Sequence, residues 1–141
     1  DVKEELGTGD PVAFSKEHTV LYVEDNPDNL RLMEMIIKRL DGFALVSSHN
    51  AMLGIELAKT TRPDIIILDI NLPGMSGYAA LNELQALTVT RDIPVIALSA
   101  NAMPRDIEKG LEAGFLRYLT KPVNVDEVTS AIREITSDDP A

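Results

Sequence analysis

Short apolar runs recur along the chain at 19–23 (TVLYV), 43–47 (FALVS), 65–68 (IIIL), 94–98 (PVIAL) and 115–119 (FLRYL). The third and fourth are continuous and rich in Ile and Val, the composition of strands covered on both faces in a parallel sheet. Between the runs the apolar spacing becomes helical. Asn26 followed by Pro27 offers an N-cap and a first-turn proline, after which Leu30, Met33, Ile37 and Leu40 share one face until Gly42 stops the helix. A second helix is predicted over 51–60, ending before Arg62-Pro63, because the residue preceding a proline is pushed out of helical geometry. A third follows Gly77 with Leu81 and Leu84, and a fourth covers 105–112 with Ile107 and Leu111 four apart. The fifth opens at Asn124 with Glu127 three residues on, a capping-box arrangement, and Val125, Val128, Ile132 and Ile135 form its stripe. Five strand–helix alternations, without internal repeats or low-complexity tracts, predict a five-stranded doubly wound α/β domain over 18–136. Residues 1–17 are polar and carry Gly7, Gly9 and Pro11, which predicts a linker or mobile arm; 137–141 read as a polar tail.

In such folds ligands sit beyond the carboxyl ends of the strands. The first run ends in Glu24-Asp25, the third in Asp69, the fourth in Ser99 with small Ala100 behind it, and the fifth in Thr120-Lys121-Pro122. Taken singly, each has an ordinary explanation. Asp25 could cap a helix or sit solvated in a loop, Ser99 could cap a loop, and Lys121 could be plain surface. Asp69 resists this, because an acid that follows IIIL needs compensation wherever it is even partly buried. Their joint occurrence at four strand ends favours one shared site.

Charge sharpens the picture. Two carboxylates about 4 Å apart, at an effective dielectric near 20, repel by about 4 kcal/mol, so grouping three requires cations or protons. Lys121 supplies one positive charge and a hard divalent ion would supply two. Oxygen-only donors with no Cys in the chain and no nearby His point to Mg²⁺, with Mn²⁺ as a possible substitute, rather than zinc or copper. Mg²⁺ also favours sites completed by a phosphate oxygen. With 13 basic and 23 acidic residues the net charge is −10, which argues against direct nucleic-acid binding and leaves room for cations. The 141 residues suit one domain, and no apolar run approaches the roughly 20 residues of a membrane span. No membrane contact is therefore expected of this segment. The absence of cysteine excludes disulfides and thiolate metal sites and is compatible with a cytoplasmic setting.

These residues resemble the receiver (phosphoacceptor) domain of two-component response regulators. VEDN, DIIILDINLPGMSG, PVIALSANAM and GFLRYLTKP carry the likeness, four separated motifs in order, and it covers residues 18–136. The resemblance implies a flavodoxin-like (βα)5 three-layer sandwich with a parallel sheet of order 2-1-3-4-5. It implies that Asp69 takes a phosphoryl group from a phosphohistidine of a histidine kinase or histidine phosphotransfer domain. Asp25 would bind Mg²⁺ directly and Glu24 mostly through water, with Asp69 and the Asn71 backbone carbonyl completing the protein ligands. Lys121 would contact Asp69 and then a phosphoryl oxygen, Ser99 would donate to another, and Ala100 would leave room for entry. The Lys121-Pro122 bond would be cis. Tyr118 resembles the aromatic that swings inward after Ser99 moves, reshaping the surface of the fourth helix, fifth strand and fifth helix, where a homodimer is also possible. The alternative for Tyr118 is an exposed strand aromatic. Moving such a switch from 1:99 to 99:1 takes about 5.5 kcal/mol, more than one hydrogen bond supplies, so partial switching or partner binding is expected. Ser rather than Thr at 99 and Glu rather than Asp at 24 are small departures that remove no needed group.

Three rivals share parts of the pattern. An aspartyl phosphohydrolase would place an acid two positions after its nucleophile, where this chain has Asn71. A flavin module would want a Ser/Thr/Gly-rich phosphate loop after the first strand, and EDNPDN is its electrostatic opposite. A pseudo-receiver acting only as an interaction module is disfavoured by intact Asp69, Lys121 and Ser99. The start at Asp1 and the end at TSDDPA, together with the wording ALSANAM and EAGFLRYLTKP, suggest a receiver from the C-terminal end of a hybrid sensor histidine kinase. The alternative is a stand-alone single-domain regulator. In neither case would the domain be an independent turnover enzyme, although a hybrid parent would be a kinase. The domain is expected in the cytoplasm whether or not that parent is membrane-anchored.

Overall fold

The computed structural model describes residues 18–137, so the arm expected over 1–17 and the tail beyond Ser137 lie outside the described residues. Five strands alternate with five helices: β1 (His18–Val23), α1 (Pro27–Lys38), β2 (Phe43–Ser48), α2 (Ala51–Thr61), β3 (Ile65–Asp69), α3 (Gly77–Ala86), β4 (Val95–Ser99), α4 (Pro104–Ala113), β5 (Arg117–Thr120) and α5 (Val125–Thr136). The sheet is parallel in the order β2-β1-β3-β4-β5, a flavodoxin-like doubly wound arrangement. Alternate strand residues point to opposite faces, and the core splits accordingly. Leu21, Val23, Ile66, Leu68 and Ala97 pack against Ile55 of α2 and Leu81 of α3. Val20, Tyr22, Ile65, Ile67 and Ile96 pack against Met33 of α1 and Ile132 of α5. β3 and β4 are buried along their whole length, as unbroken apolar runs require.

Helix starts follow the sequence closely. Asn26 Oδ1 accepts from the backbone N–H groups of Asp28 and Asn29, and Asn124 Oδ1 accepts from that of Glu127 at 2.9 Å. Several ends differ. α1 closes at Lys38 rather than running to Gly42; Leu40 stays buried beyond it, and Gly42 makes the left-handed turn into β2 at φ 83°. Before Pro63, Arg62 leaves helical geometry through φ 48°. The fifth strand begins at Arg117, two residues later than the apolar run suggests. Phe115 is still finishing α4, its N–H donating to the Gly110 carbonyl, while its ring meets Tyr78 edge-on. Leu111 and Val125, expected on buried stripes, are 46% and 44% exposed.

At Gly77 a Cβ would lie 2.6 Å from Ile70 Cα and 3.1 Å from the Asp69 carbonyl, so α3 sits against the chain directly after β3. Backbone cannot yield as a flexible side chain can. Gly77→Ala is expected to destabilise the fold by roughly 1–3 kcal/mol, measured by chemical denaturation. Stability equal to that of the unaltered chain would show that this approach is not tight.

Candidate functional site

The carboxyl ends of β1, β3, β4 and β5 meet at one edge of the sheet. β1 pairs with both β2 and β3, so its exit lies where the flanking connections diverge to opposite faces. Glu24 continues the β1–β2 ladder by donating its N–H to the Ser48 carbonyl at 2.9 Å. On the other side Asp69 is opposite Leu98, and Ser99 is opposite Thr120. The Lys121 N–H donates to the Ser99 carbonyl at 2.8 Å, which fixes where the lysine leaves the sheet, and the Lys121-Pro122 bond is cis.

Ladder geometry brings Glu24, Asp25 and Asp69 close enough that one carboxylate oxygen from each lies within 4.8 Å of the others. Glu24 and Asp69 are buried and Asp25 is exposed, so the cluster opens to solvent along one side. Lys121 Nζ lies 2.9 Å from Asp69 Oδ2 and 3.3 Å from Glu24 Oε1. The other Asp69 oxygen, Oδ1, accepts from the Asn71 N–H at 2.9 Å. Ser99 Oγ is fully buried, donates to Asn71 Oδ1 at 3.3 Å, and accepts from the Asn101 N–H at 3.0 Å. Ala100, next in the chain, is exposed.

Electrostatics at the site are lopsided. Burial raises the pKa of Glu24 and the Asp69 charge adds to this, against the opposing pull of the Tyr22 hydroxyl and of Lys121. Burial works to lower that of Lys121, but the hydrogen bond and charge of Asp69, followed by Glu24, outweigh it and hold the ammonium above its ordinary value. Three carboxylates therefore face one cation. The donors are all oxygens, the chemistry suited to a hard divalent ion.

Tyr118 lies half-buried over α4, its hydroxyl donating to the Asn101 carbonyl at 2.8 Å. Gly110 permits this, since a Cβ there would come within 2.5 Å of the Tyr118 ring. Tyr118 is thus tethered to the loop that follows Ser99 rather than free on the strand surface. Two further contributors are absent from the set read at strand ends. Tyr22 donates its hydroxyl to Glu24 Oε1 at 2.8 Å, and Asn29 Nδ2 reaches the same oxygen at 3.3 Å. Tyr22 has a legible signal, since residues two apart on a strand share a face. Asn29 becomes a neighbour only through the turn capped by Asn26.

Residues 20–133 match the response regulator receiver domain family. The polar-differentiation response regulator DivK of Brucella anthropi is 34% identical over 85% of this chain and 97% of its own length. The transcriptional regulatory protein CseB of Streptomyces coelicolor is 36% identical over 82% of this chain, which spans only 48% of that protein. The receiver domain of a sensor histidine kinase from Pseudomonas aeruginosa PAO1 superposes with a TM-score of 0.77 at 34% identity, covering 86% of this chain and 99% of that one. That crystal structure has a magnesium ion coordinated in its active-site cleft. The chain belongs to the response regulator receiver domain family and is a receiver domain of two-component signalling. No helix among the described residues is long and apolar enough to cross a membrane.

Proposed function

We propose that Asp69 is the phosphoacceptor of this receiver, and that it takes a phosphoryl group from the phosphohistidine of a histidine kinase or histidine phosphotransfer domain. The observation that carries the reading is the Lys121 ammonium 2.9 Å from buried Asp69, within a carboxylate cluster open to solvent along Asp25. An Asp69 carboxylate oxygen attacks phosphorus, the P–N bond breaks with its electrons passing to the imidazole nitrogen, and an acyl phosphate forms. Lys121 follows the negative charge from Asp69 onto a phosphoryl oxygen. Ser99 exchanges its long bond to Asn71 for one to a second phosphoryl oxygen, and the small Ala100 leaves the approach clear. Glu24, Asp25, Asp69 and the Asn71 backbone carbonyl would hold Mg²⁺, or Mn²⁺ in its place. The bound ion would neutralise charge on the cluster and on the incoming group.

The link to the surface runs through Ser99. Its Oγ accepts from Asn101, whose carbonyl accepts from Tyr118, so movement of Ser99 is felt by the aromatic resting on α4. Met103, Leu111 and Leu116 stand exposed around that helix, which supports α4, β5 and α5 as the face presented to a protein partner, a second copy included. Likeness to a kinase receiver supports a hybrid sensor histidine kinase as the parent. The likeness to DivK, 97% of whose length is matched, keeps a stand-alone regulator as the alternative.

The test is intact mass after incubation with acetyl phosphate and Mg²⁺. We expect a gain of one phosphoryl group, absent when Mg²⁺ is removed by chelation. An unchanged mass together with failure to bind beryllofluoride would leave an interaction module as the better reading.

A further inference from the structure

We propose that Tyr22 is a positioning residue for Glu24, holding that carboxylate from within the core so that the divalent-ion site is preorganised. The inference rests on the reading of the acidic cluster as a Mg²⁺ site and extends it to a residue that no strand end reveals.

Residues 22 and 24 point to the same side of the extended chain, about 7 Å apart along it. A ring carrying a para oxygen spans that gap, whereas the Val, Ile and Leu around it do not. Glu24 Oε1 receives Tyr22 at 2.8 Å and Asn29 and Lys121 at 3.3 Å each, while Oε2 receives the Asn26 N–H at 3.3 Å. The phenol makes the shortest of these four contacts, and Tyr22 and Glu24 are both 0% exposed. A hydroxyl donating to an ionised carboxylate is a strong bond, and here bulk water does not compete for it. The ring itself is held in the cluster formed with Met33 and Ile132, so the donor is fixed in space.

Lys121 is a less constant restraint, because it also pairs with Asp69 and follows the charge when the phosphoryl group arrives. Tyr22 has no such second duty in the reaction. It holds Oε1 from the core side at 2.8 Å, which fixes the orientation of the carboxylate that joins the cluster. Partners that orient a directly bound ligand typically change metal affinity by about 10- to 100-fold. Tyr22 acts on a carboxylate expected to reach the ion mostly through water, so it belongs at the low end of that range.

A tyrosine buried for packing alone would also need an acceptor for its hydroxyl, so the test must separate the two roles. Mg²⁺ binding is measured calorimetrically for the unaltered chain, Tyr22→Phe, Glu24→Gln and the double variant, with circular dichroism as the check of fold. Tyr22→Phe should weaken Mg²⁺ about tenfold, the low end of that range because Asn29 and Lys121 still reach Oε1. In the Glu24→Gln background the same change should have little further effect, since Tyr22 acts through Glu24. Equal Mg²⁺ affinity in Tyr22→Phe and the unaltered chain overturns the proposal and leaves the metal reading intact; so does full additivity in the double variant. Absence of Mg²⁺ binding by the unaltered chain overturns both. A second readout needs no variant: the Tyr22 ring carbon resonance should shift with Mg²⁺ at the calorimetric midpoint, and a stationary resonance counts against the proposal.

Discussion

Asp69→Asn is expected to abolish the phosphoryl mass gain altogether while preserving the fold, and the two halves of that result have separate causes. An amide oxygen of Asn carries no full negative charge and cannot form an acyl phosphate, so no partial activity should survive at that position. The shape changes little, however. Asn can still accept from the Asn71 N–H, now made to Asp69 Oδ1 at 2.9 Å, and β3 remains buried. The substitution relieves repulsion on Glu24 but loses the ion pair with Lys121 at 2.9 Å, two effects of opposite sign. Mg²⁺ should bind more weakly, since one of three clustered carboxylates is gone. Intact mass and denaturation curves decide the matter. A phosphorylated Asp69→Asn protein would move the acceptor to another residue.

Removal of Lys121 should markedly destabilise the fold at neutral pH. Lys121→Ala leaves two buried carboxylates, Glu24 and Asp69, without the cation that lies 3.3 and 2.9 Å from them. Breaking an enclosed pair typically costs 3–5 kcal/mol; Lys121 is 23% exposed and water can partly replace it, so about 2–4 kcal/mol is expected. The loss has a pH signature. Glu24 has a folded-state pKa raised above its ordinary 4.5, chiefly by burial, so the folded chain holds that proton more tightly than the unfolded one. Its contribution to stability is present in full below 4.5 and is lost as pH rises through the raised value. Lys121 is one of the influences lowering the Glu24 pKa, so its removal pushes the value further up. The stability gap between Lys121→Ala and the unaltered chain should therefore narrow on acidification from neutral pH toward 4.5. Added Mg²⁺ should narrow it as well at neutral pH, by replacing the missing charge. A pH-independent gap would mean that Lys121 acts through packing.

Strand ends were legible because a buried strand cannot close on a charge without compensation. IIIL followed by Asp69, and PVIAL followed by Ser99, mark the rim of the sheet by composition alone. Caps at Asn26 and Asn124 were legible because their hydrogen bonds span only two or three residues. Tyr22 was open to the same reasoning two residues back, but its ring read as core. Leu111 and Val125 show where the pattern fails. Periodicity identifies an apolar stripe but not whether another element covers it; on α4 the inward position went to Gly110, beneath Tyr118. Phe115 failed for a related reason, since a helix C-terminus claimed a residue that by composition belonged to the strand.

Alone, then, the order of residues determined the alternation of elements, the parallel sheet and which side chains would stand at its carboxyl edge, all consequences of local period and burial cost. Only the tertiary structure decided that Lys121 is shared between Glu24 and Asp69, that Tyr22 holds Glu24 from the core, and that α4 keeps an apolar flank in solvent. Those are facts of distance between residues far apart in the chain or turned to one face of it, and the free energy of each depends on what surrounds it after folding.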